Sequence, residues 1–155
     1  MDKQQTADKE LLVHDAVAKL TYFTRLYGID TLFLVGGFCR GLYFDHLWEI
    51  NDIDVASAYE DQAMELCGLF ASEVIKAPPE FHKRSGAATV IYNTDQGAIR
   101  IDFQGRSVNE YMYNKDVREW MHSAGIEDVP LMHNIYGRDF TINSMIYSLA
   151  SERLY

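Results

Sequence analysis

The chain has 155 residues, of which 48% are hydrophobic and 24% are charged, and we expect one globular domain whose core needs no disulfide or structural metal. It contains no apolar run near the roughly 20 residues that a membrane-spanning helix needs. Its first ten residues, MDKQQTADKE, are polar and lack the apolar centre of a secretory signal. We therefore predict a cytoplasmic protein with no membrane partner. The net charge of −9 argues against a chain that grips a long stretch of nucleic acid by itself, because such proteins present a basic face.

The first half of the chain is predicted to alternate helices and strands. A helix over 8–27, with Gly28 as its end, has apolar residues at helical spacing, namely Leu12, Ala16, Leu20, Phe23 and Tyr27. Four further elements are predicted: a strand over 31–35 (TLFLV), a helix or helical turn over 38–48, a strand over 52–57 (DIDVAS) and an amphipathic helix over 59–75. The core candidates of this last helix are Met64, Leu66, Leu69, Phe70 and Val74.

The second half is predicted to hold a hairpin and a closing helix. APPEFHKRSG (77–86) is expected to be a loop, and AATVIYN and AIRIDFQ to be strands joined at TDQG, where Gly97 can supply a positive φ. Residues 104–133 are expected to be irregular apart from a short helix around 115–122, and 138–150 to form a helix with Ile142, Met145, Ile146 and Leu149 on its apolar face. Because the hairpin makes the sheet mixed, we predict an α+β fold.

Two aspartates, Asp52 and Asp54, lie two residues apart in the DIDVAS strand. Side chains alternate across a strand, so both carboxylates are expected on one face, with Ile53 and Val55 on the other. Two carboxylates held side by side can bind a divalent cation, which offsets their mutual repulsion, and oxygen ligands suit magnesium. The alternative from the residues alone is a strand edge with two solvated aspartates.

A glycine pair, Gly36 and Gly37, separates the first predicted strand from the next helix. Glycines let a ligand approach the backbone closely, amide groups at a helix start favour phosphate, and Arg40 three residues on offers a phosphate-matched guanidinium. In AIRIDFQ, alternation places Asp102 opposite the core-facing residues. If that strand lies beside DIDVAS, Asp102 can join the aspartate pair, and three carboxylates can hold two magnesium ions; otherwise it is an exposed aspartate. The five histidines (14, 46, 82, 122 and 133) show no ligand spacing and are given structural or surface roles.

Three motifs together resemble the head domain of class II CCA-adding enzymes and bacterial poly(A) polymerases. LVGGFCRG, DIDVAS and GRDFTINSMIYSL are similar, in the family's order, to V-G-G-x-V-R-D, D-I-D-[IL]-A-T and R-R-D-F-T-I-N-A-M-A-Y. The resemblance spans roughly residues 31–149, and RDFTIN is its most specific string. It implies a polymerase-β-like nucleotidyltransferase fold, with a short mixed sheet flanked by helices. Gly41 and Gly137 depart from the family pattern, replacing an aspartate and an arginine.

The resemblance also implies roles for individual residues. Those implied to contact the nucleotide or brace its site are Gly36, Gly37, Arg40, Arg138, Asp139 and Asn143. Those implied to hold magnesium and act in catalysis are Asp52 and Asp54, with Asp102 where the family places its third strand carboxylate. Arg106 falls roughly where the family has another arginine.

The implied activity is magnesium-dependent transfer of a nucleoside monophosphate from a nucleoside triphosphate, ATP or CTP, to an acceptor hydroxyl, with release of pyrophosphate. The implied acceptor is an RNA or tRNA 3′ end, held weakly by so acidic a chain. We expect residues 1–155 to form a single head domain without the family's neck, body and tail domains. Two alternatives stay open: a stand-alone transferase that modifies a protein or small molecule, and a catalytically silent nucleotide-binding module.

Overall fold

The computed structural model describes residues 2–59, 61–105, 115–125 and 145–155. It begins with a helix, α1, over Lys3–Tyr27. The Asp2 carboxylate accepts the Gln5 backbone N–H at 2.8 Å, and the Gln5 side chain accepts the Asp2 backbone N–H at 3.0 Å. This reciprocal cap starts α1 five residues before the predicted position. Gly28 ends the helix in the left-handed region at φ 63°, as predicted, whereas Tyr27, one of the apolar residues at helical spacing, is 42% exposed.

The remaining elements agree with most of the predicted ones in kind. In chain order they are β1 (Leu32–Val35), α2 (Gly37–Phe44), β2 (Asp52–Ser57), α3 (Gln62–Phe70), β3 (Glu80–His82), β4 (Ala87–Thr94), β5 (Gly97–Gly105), α4 (Lys115–Ser123), β6 (Tyr147–Ser148) and β7 (Arg153–Leu154). The helix predicted over 38–48 is broken at Asp45, which has φ 59°, and a short 3-10 turn follows. The helix predicted over 59–75 is α3 followed by a wider helical turn over Ala71–Ile75. None of the described helices is long and apolar enough to cross a membrane.

The described strands form one mixed sheet in the order β3-β4-β5-β2-β1-β6-β7. β2 and β5 are parallel, and the other neighbouring strands pair antiparallel. The predicted hairpin closes with Thr94 paired to Gly97, whose φ is 136°. The predicted α+β class is therefore confirmed.

One face of the sheet carries the core. Residues of β2 and β5 that point to this face are fully buried, namely Ile53, Val55, Ile101 and Phe103. Phe70 of α3 stacks between Phe103 and Phe23 of α1, with ring centroids 5.7 and 5.4 Å apart. Burying each such side chain stabilises the fold by about 1.5–3 kcal/mol, so this face fixes where the strands lie. The opposite face carries Asp52, Asp54 and Asp102, next to a smaller buried apolar cluster of Val35, Ala56 and Ile146.

Two short strands replace elements that were predicted differently. β3 lies inside the predicted loop 77–86 and pairs with β4. The predicted helix over 138–150 does not extend through its last residues, because Tyr147 and Ser148 form β6 and pair with β1; residues 138–144 lie outside the described part. Ile146 and Leu149 are nevertheless buried, as predicted. In both places backbone pairing with an existing strand edge outweighs the local pattern.

Candidate active site

The turn between β1 and α2 brings the backbone of Gly36 against a carboxylate. Gly36 has φ 65° and ψ −130°, a conformation that side chains rarely adopt. A Cβ built on Gly36 would lie only 2.8 Å from Asp54 Oδ2. Val35, the preceding residue, pairs with Asp54 across the β1–β2 ladder. The glycine turn is therefore held directly beside the second aspartate of the D-x-D motif.

The three predicted site carboxylates lie on the polar face of two adjacent strands. Asp54 is opposite Asp102 in the parallel β2–β5 register, and Asp52 is opposite Arg100. Neighbouring strands are about 4.8 Å apart, so Asp54 and Asp102 are immediate neighbours. Asp52 is exposed, Asp54 is partly buried and Asp102 is buried at 9% exposure. The sequence condition for Asp102 to join the pair, adjacency of the two strands, is confirmed.

Asp102 is held by two donors on the same oxygen. Arg100 Nε donates to Asp102 Oδ1 at 2.8 Å, and Thr89 Oγ1 donates to the same atom at 2.5 Å. The hydrogen bond from Arg100 to Asp102 and the charge of Asp102 raise the pKa of the Arg100 guanidinium, with smaller contributions from Asp52 and Glu80. Arg100 therefore supplies positive charge directly beside Asp102. Within the described residues no hydrogen bond to Asp102 Oδ2 is found.

The chemistry of the donor set suits a hard cation. The three site carboxylates, Asp52, Asp54 and Asp102, offer oxygen ligands, which magnesium prefers. Across the described ranges, no three histidine, cysteine, aspartate or glutamate side chains converge closely enough to hold a metal ion. The predicted three-carboxylate magnesium site therefore stays a prediction, supported by the juxtaposition of Asp54 and Asp102.

A cavity of about 360 Å³ opens beside Asp52. Its lining includes Gly37 and Arg40 from α2, together with Asp52 from β2. Phe44 and Ile50 contribute apolar wall. Two residues predicted to contact phosphate, Gly37 and Arg40, thus face the same space as Asp52, whereas Gly36, Asp54 and Asp102 are not part of its lining.

The departure from the family pattern at position 41 has a steric reason. A Cβ at Gly41 would lie 2.8 Å from Ile50 Cδ1 and 3.3 Å from the His46 carbonyl oxygen. Ile50 is buried at 6% exposure. An aspartate at this position would therefore require the Ile50 side chain to shift and the His46 carbonyl to move slightly.

Several predicted site residues lie outside the described residues. These are Arg138, Asp139 and Asn143, together with the departure at Gly137 and the loosely aligned Arg106.

The contacts of Asp102 with Arg100 and Thr89 were not predicted from the sequence. Arg100 lies two residues before Asp102 on β5, so strand alternation puts both on one face, but alternation alone gives no reason to pair them. Thr89 becomes visible only through the β4–β5 register, which puts it opposite Asp102. His82, which was given a structural or surface role, contacts Thr89 through its Nε2 atom at 3.1 Å.

The motif resemblance is matched by comparison with known proteins. A family model described as "Poly A polymerase head domain" matches residues 32–155. No curated protein matches the sequence significantly. Among solved structures, a CCA-adding enzyme in complex with ATP is 20% identical, with a TM-score of 0.62 over 97% of this chain and 31% of its own. A tRNA nucleotidyltransferase complexed with a primer tRNA and an incoming ATP analog is 20% identical, with a TM-score of 0.58 over 86% of this chain and 33% of its own.

The Thermotoga maritima CCA-adding enzyme complexed with tRNA-CCA is 22% identical, with a TM-score of 0.55 over 86% of this chain and 26% of its own. At these identities the similarity shows the fold, and it confirms the predicted polymerase-β-like nucleotidyltransferase fold. The chain spans about a third or less of the length of these proteins. Because the family model covers β1 to the last described residue, with both the glycine turn and the D-x-D strand inside the match, the chain belongs to the poly(A) polymerase head domain family.

Proposed function

We propose that this domain catalyses magnesium-dependent transfer of a nucleoside monophosphate from ATP or CTP to an RNA 3′ hydroxyl, with release of pyrophosphate. The observation that carries the proposal is the placement of Asp54 beside Asp102 on parallel strands and against the Gly36 turn. Family membership and the fold support the same reaction class. The cytoplasm is the proposed location.

The triphosphate is proposed to bind at the start of α2. Gly37 and Arg40 line the cavity beside Asp52, and backbone amides at a helix start together with a guanidinium suit phosphate oxygens. Arg138, Asp139 and Asn143 are proposed to complete the nucleotide site from outside the described residues. Negative phosphate and negative carboxylates share this space, so a cation is needed between them.

The carboxylates Asp52 and Asp54 are proposed to hold magnesium, with Asp102 as the third ligand. When bound, the ion neutralises phosphate charge and polarises the phosphoryl oxygens. The protein contributes by fixing the ligands on a sheet whose reverse face is fully packed, so that little reorganisation is needed during the reaction.

Asp102 is also proposed to receive the proton of the acceptor hydroxyl. The acceptor oxygen forms a bond to the α-phosphorus, the bond from that phosphorus to the bridging oxygen breaks, and pyrophosphate leaves with the electron pair. Arg100 and Thr89 occupy Asp102 Oδ1, so Oδ2 is the atom assigned to the acceptor proton or the metal.

The acceptor is proposed to be the 3′ end of tRNA, since two of the similar structures contain tRNA. A net charge of −9 limits these residues to few contacts with the RNA backbone. Recognition is therefore proposed to concentrate on the terminal nucleotide.

The test is transfer of label from α-phosphate-labelled ATP or CTP to tRNA lacking its CCA end, in the presence of magnesium. We expect labelled RNA from the wild type and loss of labelling in Asp54→Asn. Asp95→Asn, an acid-to-amide change in the exposed β4–β5 turn, is the matched control and should keep wild-type transfer. Labelling that survives Asp54→Asn would refute the assigned site. Transfer to a protein or small molecule instead of RNA would refute the proposed acceptor.

A further inference from the structure

A hydrogen-bonded chain crosses three strands and ends on Asp102. His82 on β3 contacts Thr89 on β4 at 3.1 Å, from Nε2 to Oγ1, and Thr89 contacts Asp102 on β5 at 2.5 Å, from Oγ1 to Oδ1. The strand registers place the three residues on the same polar face, because Glu80 is opposite Thr89 and Thr89 is opposite Asp102. We propose that Thr89, supported by His82, is a positioning residue that sets the orientation of the Asp102 carboxylate for the transfer reaction proposed above, on which this inference rests.

The direction of the hydrogen bonds follows from the donors that are present. An ionised carboxylate can only accept, so the single hydrogen of the Thr89 hydroxyl goes to Asp102. The Thr89 oxygen is then free to accept, and His82 Nε2 must carry a hydrogen to donate to it. The other ring nitrogen, Nδ1, lies 3.9 Å from Glu80 Oε1, which is too long for a hydrogen bond. His82 thus acts on Asp102 only through Thr89.

Burial makes Thr89 hard to replace by water. Thr89 is 6% exposed and Asp102 is 9% exposed, so a missing hydroxyl would leave the Asp102 oxygen with a weakened set of donors. Arg100, the other donor to Oδ1, has a side chain that is 54% exposed. With Arg100 alone, the carboxylate would be held only by a half-exposed guanidinium. With Thr89 as well, Oδ1 is fixed from two directions and Oδ2 is left for the chemistry.

This arrangement separates orientation from substrate binding. The proposed phosphate contacts, Gly37 and Arg40, are on α2 and line a cavity to which β4 contributes no residue. Loss of the Thr89 hydroxyl should therefore lower the rate of the chemical step while leaving the affinity for the nucleotide nearly unchanged. If Thr89 had only a structural role, losing its hydroxyl would instead lower the stability of the fold and change both the rate of the chemical step and the affinity for the nucleotide.

The test compares Thr89→Val, which keeps the shape but removes the hydroxyl, with Thr89→Ser, which restores it. We expect Thr89→Val to lower kcat roughly ten- to a hundredfold, as small misplacements of reacting groups do, with KM for the triphosphate within about twofold and the midpoint of urea unfolding near that of Thr89→Ser. Thr89→Ser should recover most of kcat. His82→Ala should show a smaller loss, and the double variant should be no slower than Thr89→Val, because residues in one network are not additive.

The matched control is Thr94→Val on the same strand, whose hydroxyl donates to the Gly97 carbonyl oxygen in the exposed turn; it should behave as wild type. A second readout does not need turnover: Mn²⁺ binding to the nucleotide-free chain, followed by electron paramagnetic resonance, should weaken severalfold in Thr89→Val and recover in Thr89→Ser. Wild-type kcat and Mn²⁺ affinity in Thr89→Val would overturn the inference, as would equal losses in the valine and serine variants. A wild type that binds Mn²⁺ but transfers no nucleotide would refute the proposed function, and the Mn²⁺ comparison would then decide the positioning role by itself.

Discussion

Replacing Gly36 by alanine tests the close approach of the β1–α2 turn to Asp54. The substitution adds one methyl group at a position with φ 65° and ψ −130°. That methyl carbon would meet Asp54 Oδ2 at 2.8 Å, inside van der Waals contact. Two costs therefore combine, one from the backbone and one from the displaced carboxylate.

The magnitude can be worked out against Gly28, which offers a matched control. Gly28 has φ 63° and ψ 36°, and a Cβ there meets nothing within 4 Å. Gly28→Ala should cost about 1 kcal/mol for the left-handed backbone, offset by roughly 0.5 kcal/mol from the reduced entropy of the unfolded chain. Gly36→Ala has the same offset but lies in a more strained region, with a cost of about 3 kcal/mol, before Asp54 moves. We expect Gly36→Ala to be less stable than Gly28→Ala by about 2 kcal/mol.

The assay is urea unfolding of both variants, followed by circular dichroism and extrapolated linearly to water. A parallel measurement of Mg²⁺-ATP affinity should show a loss for Gly36→Ala and none for Gly28→Ala, because only the first displaces Asp54. Equal stability of the two alanine variants would refute the reasoning, since neither the backbone strain at Gly36 nor the contact of its added methyl group with Asp54 Oδ2 would then have a cost.

Three further predictions concern other groups. Arg40→Ala should weaken the binding of ATP by about ten- to a hundredfold, because it removes a charge-assisted contact of about 1.5–3 kcal/mol, and should leave the binding of adenosine almost unchanged. Equal weakening of both ligands in titration calorimetry would contradict the assignment of Arg40 to the phosphates. Burial, and to a smaller extent the charge of Asp102, raises the pKa of the Cys67 thiol from 9.0 to about 12. A disulfide reagent at pH 8 should therefore modify Cys67 only as fast as the chain unfolds. Rapid labelling of the native protein would be inconsistent with that burial. Burial and then the hydrogen bond to Asp15 raise the pKa of Tyr92 from 10.0 to about 12. The stability that Tyr92 contributes is present below pH 10 and is lost as the pH rises through 12, because the unfolded state ionises first. Tyr92→Phe should lack this part of the loss. If the unfolding curves of the wild type and of Tyr92→Phe changed identically with pH, this role of Tyr92 would be contradicted.

Local alternation predicted the faces of the two central strands correctly. Ile53 and Val55 of β2, and Ile101 and Phe103 of β5, are fully buried, while the aspartates between them point the other way. This succeeds because the period of two is a property of the extended backbone itself. The same rule placed Asp102 on a polar face before its neighbours were known.

Elements that depend on distant partners were not predictable in this way. β3 and β6 are three and two residues long, too short for any periodicity to emerge. They exist because β4 and β1 offer unpaired backbone groups along the edges of the sheet, and pairing satisfies those groups. The early start of α1 differs in kind, because the Asp2 and Gln5 capping pair is local and was a readable signal.

In the candidate site, too, some features follow from the local sequence and others depend on distant strands. Strand alternation and the motifs identify which carboxylates face together, but the adjacency of Asp54 and Asp102 depends on the parallel pairing of β2 with β5. Those strands are separated in sequence by α3 and the β3–β4 segment, and no local pattern specifies their order. The Thr89 contact needs one more register, that of β4 with β5.

The register that aligns the site is also the register that protects the core. Slipping β5 by one residue against β2 would reverse every side chain of β5 between the two faces. Phe103 or Ile101 would then lie opposite Asp54, and Asp102 would enter the apolar layer that now holds Phe70. A carboxylate without a partner in that layer costs several kcal/mol, in addition to the loss of about 1.5–3 kcal/mol for each expelled apolar side chain. The packed face therefore excludes the slipped register, and the register that remains keeps Asp54 and Asp102 side by side.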